Sequence, residues 1–365
     1  MTVDTDGADD YYRVSTVSLD VDSSGVAHMS YEGHWTSYGT YSGQPVRYAR
    51  VDGSSVDINV LDAVGGYYSS LDLDSSGIPH MAFYDGSPSW GLDYVKWTGP
   101  GSTIETARSG GQYGGWNDIV VDSGGKPHIS YYGWTGASIY YSYKDASGWH
   151  HSTVDSGGSV YGPADEYPDT SIDLGTDGKP RIAYNYVDTP YRAKLMEPNV
   201  YPLTWTARTL PTDSKFASMV IDPTNGYAHL AYAIGSQLRH AVWTGSAWSV
   251  DELVSNVGTP KWTSIDLDSQ GRAHIAYYNA AAGDLVYSFF DGTTWQSGTV
   301  DSAGDVGVQP SLALDINDLP HIAYYDWTNH DLKYAYAPEP VALALLLAGA
   351  VPMVGARLRR TRRGR

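Results

Sequence analysis

A short phrase that pairs aspartate with histidine returns seven times along this chain. Its copies are SLDVDSSGVAHMSYE from Ser18, SLDLDSSGIPHMAFYD from Ser70, DIVVDSGGKPHISYY from Asp118 and SIDLGTDGKPRIAYN from Ser171. SMVIDPTNGYAHLAY from Ser218, SIDLDSQGRAHIAYY from Ser264 and SLALDINDLPHIAYY from Ser311 complete the set. An imidazole held by a carboxylate is the unit of general-base catalysis and of many metal sites, so the phrase has the residue types for chemistry. Each copy alternates polar and apolar residues on both sides of a turn such as Asp74-Ser-Ser-Gly77, which reads as a hairpin. A three-residue hairpin loop would set Asp20 opposite His28, Asp72 opposite His80 and Asp266 opposite His274. In the fourth copy Arg181 replaces the histidine while Asp173 stays acidic, a change that a cross-strand charge pair tolerates. Val120 and Ala313 break the pairing in two copies, and the fifth carries an inserted residue. Chemistry seldom needs seven copies of one base, so the pair is read as structural.

Two other groups of residues could act on a ligand. The longest connection between copies, 155–170, carries Asp165, Glu166 and Asp169 beside Tyr161 and Tyr167. Clustered carboxylates can supply a general acid and base or hold calcium; solvated loop acids are the plainer alternative. The Asp-x-Asp-x-x-Gly turns lack the further acidic ligands of a calcium loop and read as turn caps. Aromatic residues form the second group. Trp35, Trp90, Trp134 and Trp327 lie in the loops after the histidine-bearing strands, with His34, Tyr38, Tyr41, Tyr186, Tyr191 and His330. Tyr68, Trp116, Phe216 and Trp262 each stand two residues before the Ser or Asp that opens a copy. Flat rings beside acids and glycine-rich backbone suit sugars, whose C–H faces stack while their hydroxyls bond carboxylates. Packing between repeats would explain the second set equally well.

The elements that position these residues follow from the period. Aligned on His28, His80, His128, Arg181, His229, His274 and His321, the steps are 52, 48, 53, 48, 45 and 47 residues. After each hairpin a third strand is expected at 46–51, 92–97, 139–144, 238–243, 285–290 and 332–336. A fourth often opens on Trp, as at Trp149, Trp205, Trp248 and Trp295. Four antiparallel strands at this period make the chain all-β, a seven-bladed β-propeller over 1–336. The seventh copy stops after its third strand. Thr2-Val3-Asp4 matches the ends of fourth strands at Thr153-Val-Asp155 and Thr299-Val-Asp301, so the N-terminal strand should close blade seven and remove exposed edges. In that frame the aromatic loops share one face, and Tyr68, Trp116, Phe216 and Trp262 ring the mouth of the central channel.

Composition excludes several functions. Net charge is −18, and without the six Arg and one Glu of 338–365 the body holds 17 basic against 40 acidic residues. Such a surface repels nucleic acid, which asks for a basic face. With no cysteine, thiolate metal sites, disulfides and cysteine nucleophiles are excluded. Gly-rich phosphate loops, His-Glu-x-x-His and nucleophile elbows are not found either.

From residue 337 the repeat gives way to Ala337-Pro338-Glu339-Pro340, an apolar run over 341–356, and then RLRRTRRGR. Sixteen helical residues span about 24 Å, slightly short of a ~30 Å hydrocarbon core, and the arginines favour cytoplasmic retention. The last 28 residues closely resemble the PEP-CTERM sorting signal of Gram-negative bacteria. The resemblance implies export, transient anchoring of 341–356 in the inner membrane, and processing by an exosortase at Pro338, Glu339 and Pro340. It also implies a place in the cell envelope or an exopolysaccharide matrix. The sequence departs from that pattern in opening without a signal peptide, and an upstream start is therefore expected. The repeats resemble, distantly, sialidase-type and fucose-lectin propellers. Ser288 to Trp295 echoes the Asp-box with shifted spacing, but no arginine trio matches and the chain has only six Glu, so no sialidase site carries over. The expected function is non-catalytic binding of glycans or exopolysaccharide without a cofactor, calcium being the one metal the acids could take. The rivals are a polysaccharide hydrolase or lyase using Asp165, Glu166 or Asp169, and a structural or protein-binding scaffold.

Overall fold

The computed structural model describes residues 1–5, 16–33, 45–62, 66–86, 90–156, 169–186, 191–199, 204–210, 213–256 and 258–337. These form seven four-stranded antiparallel sheets, the blades of a propeller. In chain order the blades span 17–62, 66–108, 113–156, 170–209, 215–255, 260–301 and 306–336, the last completed by the strand Thr2–Asp4. That strand pairs with Asp331–Tyr336, setting Thr2 opposite Lys333 and Asp4 opposite Leu332. The Met1 ammonium donates to the Tyr334 carbonyl at 2.6 Å, and the Tyr334 N–H donates back to the Met1 carbonyl at 2.9 Å. Closure by the first residues is thus as expected. Among the described residues there is no helix long and apolar enough to cross a membrane. The segment 338–365, with the sorting motif and the expected membrane helix, lies outside them.

The hairpin register also agrees: Asp20 pairs with His28, Asp72 with His80, Asp173 with Arg181 and Asp266 with His274. The side chains do not pair as the register alone suggested. Each histidine turns its Nε2 to the aspartate that opens the hairpin turn: His28 to Asp22 at 3.5 Å, His80 to Asp74 at 3.3 Å, His274 to Asp268 at 3.4 Å. Its Nδ1 meets a tyrosine hydroxyl of the third strand, Tyr48 for His28 and Tyr94 for His80, both at 2.7 Å. A carboxylate can only accept, so the imidazole proton sits on Nε2 and the tyrosine donates to Nδ1. The turn aspartate is anchored in turn, Asp74 Oδ1 accepting from the N–H groups of Ser76 at 2.9 Å and Ile78 at 3.1 Å. Gly77 supplies the positive φ of 72° that this turn needs, a task Asp318 performs in blade seven at 61°. In blade four Arg181 bonds the turn residue Asp177 at 3.4 Å, not Asp173.

The facing aspartates have a different task. Asp266 accepts from its own neighbour Leu267 N–H and from Leu314 N–H of the next blade, both at 2.7 Å. Asp20, Asp72 and Asp173 do the same toward Leu73, Val121 and Ile221. One step up the strand Ser18, Ser171, Ser264 and Ser311 accept from the next blade's inner strand at 3.0–3.1 Å. Inner strands are sheet edges with unpaired N–H groups, and buried N–H groups must find acceptors. These short side chains supply them and stitch blade to blade around the channel.

Between blades lies the core. The second strand of each is buried on both faces, so Tyr31, Phe83, Tyr131, Tyr184, Tyr232, Tyr277 and Tyr324, at one equivalent position, are at most 3% exposed. A tyrosine there can reach the preceding blade. In six blades the outer strand bulges near its end, as at Val3, Leu61, Ala107, Val154, Val254 and Val300. The next residue then points across the seam. Asp4 accepts from Tyr31 at 2.7 Å and Arg47 at 2.5 Å, and Asp301 from Tyr324 at 2.8 Å and Lys333 at 2.9 Å. Asp155 does so from Tyr184 and from Lys194, the latter at 2.7 Å. Arg108 reverses the charge, donating to Tyr131 at 2.9 Å and lying 3.7 Å over the Tyr113 ring and 4.4 Å over Tyr140. A polar seam of this kind asks for tyrosine over phenylalanine, and tyrosine holds the equivalent position in six of the seven blades.

Candidate functional site

The inner strands carry a second bulge at the channel mouth, and it decides where the aromatic residues go. Register shifts precede Ser70, Asp118, Ser218, Ser264 and Ser311. The residue two before each adopts a left-handed backbone: Tyr68 at φ 56°, Trp116 at 44°, Phe216 at 55°, Trp262 at 48° and Gln309 at 47°. For residues with a side chain this costs on the order of 1–3 kcal/mol each, and bulges of this kind re-aim side chains near sites. The expected ring of Tyr68, Trp116, Phe216 and Trp262 is therefore real as a set of equivalent positions. Its members lean into the seams, however, with Trp116, Phe216 and Trp262 only 6, 7 and 9% exposed. Trp262 stacks on Tyr278 at 5.5 Å, and Trp116 packs against Tyr68 at 4.6 Å.

Below this rim lies a cavity of about 190 Å³ lined by Trp116, Phe216, Trp262, Asp118, Asp169 and the strand-opening serines. Its acids are held out of the usual carboxylate range. Burial pushes Asp169 up to about 7, with no hydrogen bond offsetting it. Burial likewise raises Asp118 to about 7, against the N–H groups of Ile172 and Ile119 and helped by Asp173. Of the acidic group expected in 155–170, Asp165 and Glu166 lie outside the described residues. Among the described residues no three acidic or histidine side chains converge as a metal centre would require.

The loop face carries a second, more open cleft at the seam of blades two and three. Tyr67, Tyr68, Tyr84, Gln112 and Trp134 line about 280 Å³. Trp134 lies 5.0 Å from Tyr84 and 6.1 Å from Tyr68, and 5.4 Å from Trp116 beneath. Gln112 also holds a left-handed φ, 50°, and its carbonyl accepts from the Trp134 N–H at 3.1 Å. The two loops thus fix each other, leaving the exposed Gln112 side chain beside the rings. Three tyrosines and a tryptophan around one polar amide form a wall for a flat, hydroxyl-bearing ligand. Trp134 and Tyr68 were legible as candidates; Tyr67, Tyr84 and Gln112 were not. Tyr84 hid inside a strand phrase, and Gln112 had no motif at all.

The other loop tryptophans are scattered. Trp90 is 44% exposed at φ 48°. Trp327 packs against the core between blades seven and one, its N–H donating to the Asp305 carbonyl at 2.8 Å. Trp35 lies outside the described residues.

No protein-family model matches the chain, and no curated protein does either. Solved structures do. A mutant of AofleA from Arthrobotrys oligospora aligns at TM-score 0.53 and 15% identity, over 80% of this chain and 89% of that one. A mutant Aleuria aurantia lectin in complex with Fucα1-6GlcNAc aligns at 0.51 and 14%, over 79% and 96%. A leech intramolecular trans-sialidase aligns at 0.49 and 13%, over 96% and 70%. At these identities the likeness is one of fold alone: the body shares the fold of the Aleuria aurantia lectin and of AofleA.

Proposed function

We propose that this propeller binds glycans or exopolysaccharide without altering them, and that the cleft of blades two and three is its principal site. The observation that carries the reading is the wall of Tyr67, Tyr68, Tyr84 and Trp134 around Gln112. A pyranose offers an apolar face to the rings and hydroxyls to the amide. Lectin propellers of similar fold, one in complex with Fucα1-6GlcNAc, support this use of the scaffold. In the same reading the tail 338–365 directs export: exosortase acts at Pro338–Pro340, 341–356 holds the chain in the inner membrane, and the body serves in the envelope or matrix.

The test is a glycan array followed by titration, read by tryptophan fluorescence. Trp134→Ala should weaken the best ligand about tenfold, the equivalent of about 1.4 kcal/mol of lost stacking. A folded protein that binds no glycan ends the proposal. One observation favours a second reading. Asp169 lines the channel-mouth cavity, where burial raises it, the setting a general acid of a hydrolase or lyase needs. Polysaccharide turnover lost in Asp169→Asn would establish it.

A further inference from the structure

Five inner strands bulge at the channel mouth, and two run straight. In blades one and four the register continues past Val17 opposite Tyr31 and Thr170 opposite Tyr184. The next step sets Thr16 opposite Glu32 and Asp169 opposite Asn185. Blade one satisfies this place from within. Glu32 accepts from the Thr16 N–H at 2.5 Å and hydroxyl at 3.0 Å, and from the Ser69 N–H of blade two at 2.6 Å. Blade four keeps only half of that arrangement. Asn185 Oδ1 accepts from the Ala217 N–H of blade five at 3.1 Å, while Asn185 Nδ2 is buried with no hydrogen-bond partner in a residue 6% exposed. Opposite it, burial raises Asp169 with no hydrogen bond offsetting the cost.

An unserved donor and an unserved carboxylate on facing strands cost free energy that a ligand bearing both a donor and an acceptor recovers. The cavity narrows what that ligand is. Asp169 lines it together with Asp118, Trp116, Phe216 and Trp262, and carboxylates beside aromatic rings favour a cation. Its volume, about 190 Å³, lies below the about 300 Å³ at which drug-sized pockets begin, which suits one sugar ring and not a chain. We propose that the channel mouth binds a single amino sugar, its ammonium group donating to Asp169 and a ring hydroxyl accepting from Asn185 Nδ2. The ammonium supplies the donor that Asp169 lacks, and charge-assisted bonds of this kind are the strong ones. None of Tyr67, Tyr68, Tyr84, Gln112 and Trp134 lines this cavity, so the site is separate from the cleft of blades two and three and does not depend on it.

The experiment titrates the full-length protein at pH 7 with glucosamine, N-acetylglucosamine and glucose, followed by calorimetry. Glucosamine should bind. N-acetylglucosamine keeps the ring but loses the charge and should bind about tenfold more weakly or worse, as should glucose. Asp169→Asn keeps the shape, removes the charge, and should weaken glucosamine by about tenfold or more. Trp134→Ala, in the cleft, should leave glucosamine binding in place. No binding of glucosamine by wild type overturns the proposal, leaving water to join Asp169 and Asn185. Equal affinity for the three sugars overturns it, because the ammonium then adds nothing. Loss of binding in Trp134→Ala but not in Asp169→Asn overturns it too, because the amine would then sit in the cleft.

Discussion

Replacing Asp266 by alanine should reveal how the channel is held. Its carboxylate accepts from Leu267 and Leu314, both at 2.7 Å, and so joins blade six to blade seven. Losing it orphans two N–H groups, worth about 1–3 kcal/mol each when buried; because the residue lines the channel and keeps some exposure, about 2 kcal/mol in total is expected. The pH dependence is the sharper part. Burial, with Asp20 and Asp173 nearby, lifts Asp266 to about 7 from 3.8. Between those values the folded protein holds a proton that the unfolded chain has released. The stabilisation is therefore complete below about pH 4 and is lost as pH rises through about 7. A full proton is worth about 1.4 kcal/mol per pH unit, which water in the channel screens. Asp266→Ala should thus destabilise by about 1 kcal/mol more at pH 5 than at pH 8. Urea unfolding of both proteins at the two pH values, followed by tryptophan emission, measures this double difference, in which contributions common to both cancel. An equal penalty at both pH values, or a larger one at pH 8, would refute the assignment.

Two further outcomes follow from the seams. Gly307→Ala would set a Cβ 2.5 Å from the Leu285 Cα at a φ of +91°, and should cost about 2–4 kcal/mol. Gly292→Ala, at φ +96° with open space around it, should cost only about 1 kcal/mol by calorimetry; equal losses would deny the close approach of the blades at Gly307. Asp4→Ala leaves Arg47 partly buried without its acid and should cost about 3 kcal/mol. Hydrogen exchange should then quicken first in Thr2–Asp4 and Asp331–Tyr336, and an unchanged pattern would mean that the latch does not hold the closure.

The architecture was legible because a period of 45–53 residues with alternating polarity admits few folds, and because Thr2-Val3-Asp4 repeats the ending of other outer strands. Register was legible for the same reason. Side-chain partners were not, since His28 sits opposite Asp20 yet turns to Asp22, whose place is fixed by the turn's own N–H groups. The seams are not legible in the sequence because each joins residues of two repeats. Tyr324 and Lys333 belong to one copy and Asp301 to the one before. The channel aromatics were placed correctly along the strand but not in depth, because the bulge that turns Trp116 and Trp262 into the seams has no marker in residue type. The cleft depends on the same contingency: Gln112 and Trp134 meet through a backbone bond that no pattern announces.

The pairing of Thr2–Asp4 with Asp331–Tyr336 also fixes an order of events. During synthesis this strand has no partner until more than three hundred later residues have been made. For all that time it is a loose edge, and loose edges invite pairing with other chains. At three residues it is too short to recruit a stranger well. It needs the Asp4 latch to Tyr31 and Arg47 to wait beside blade one until its true neighbour arrives.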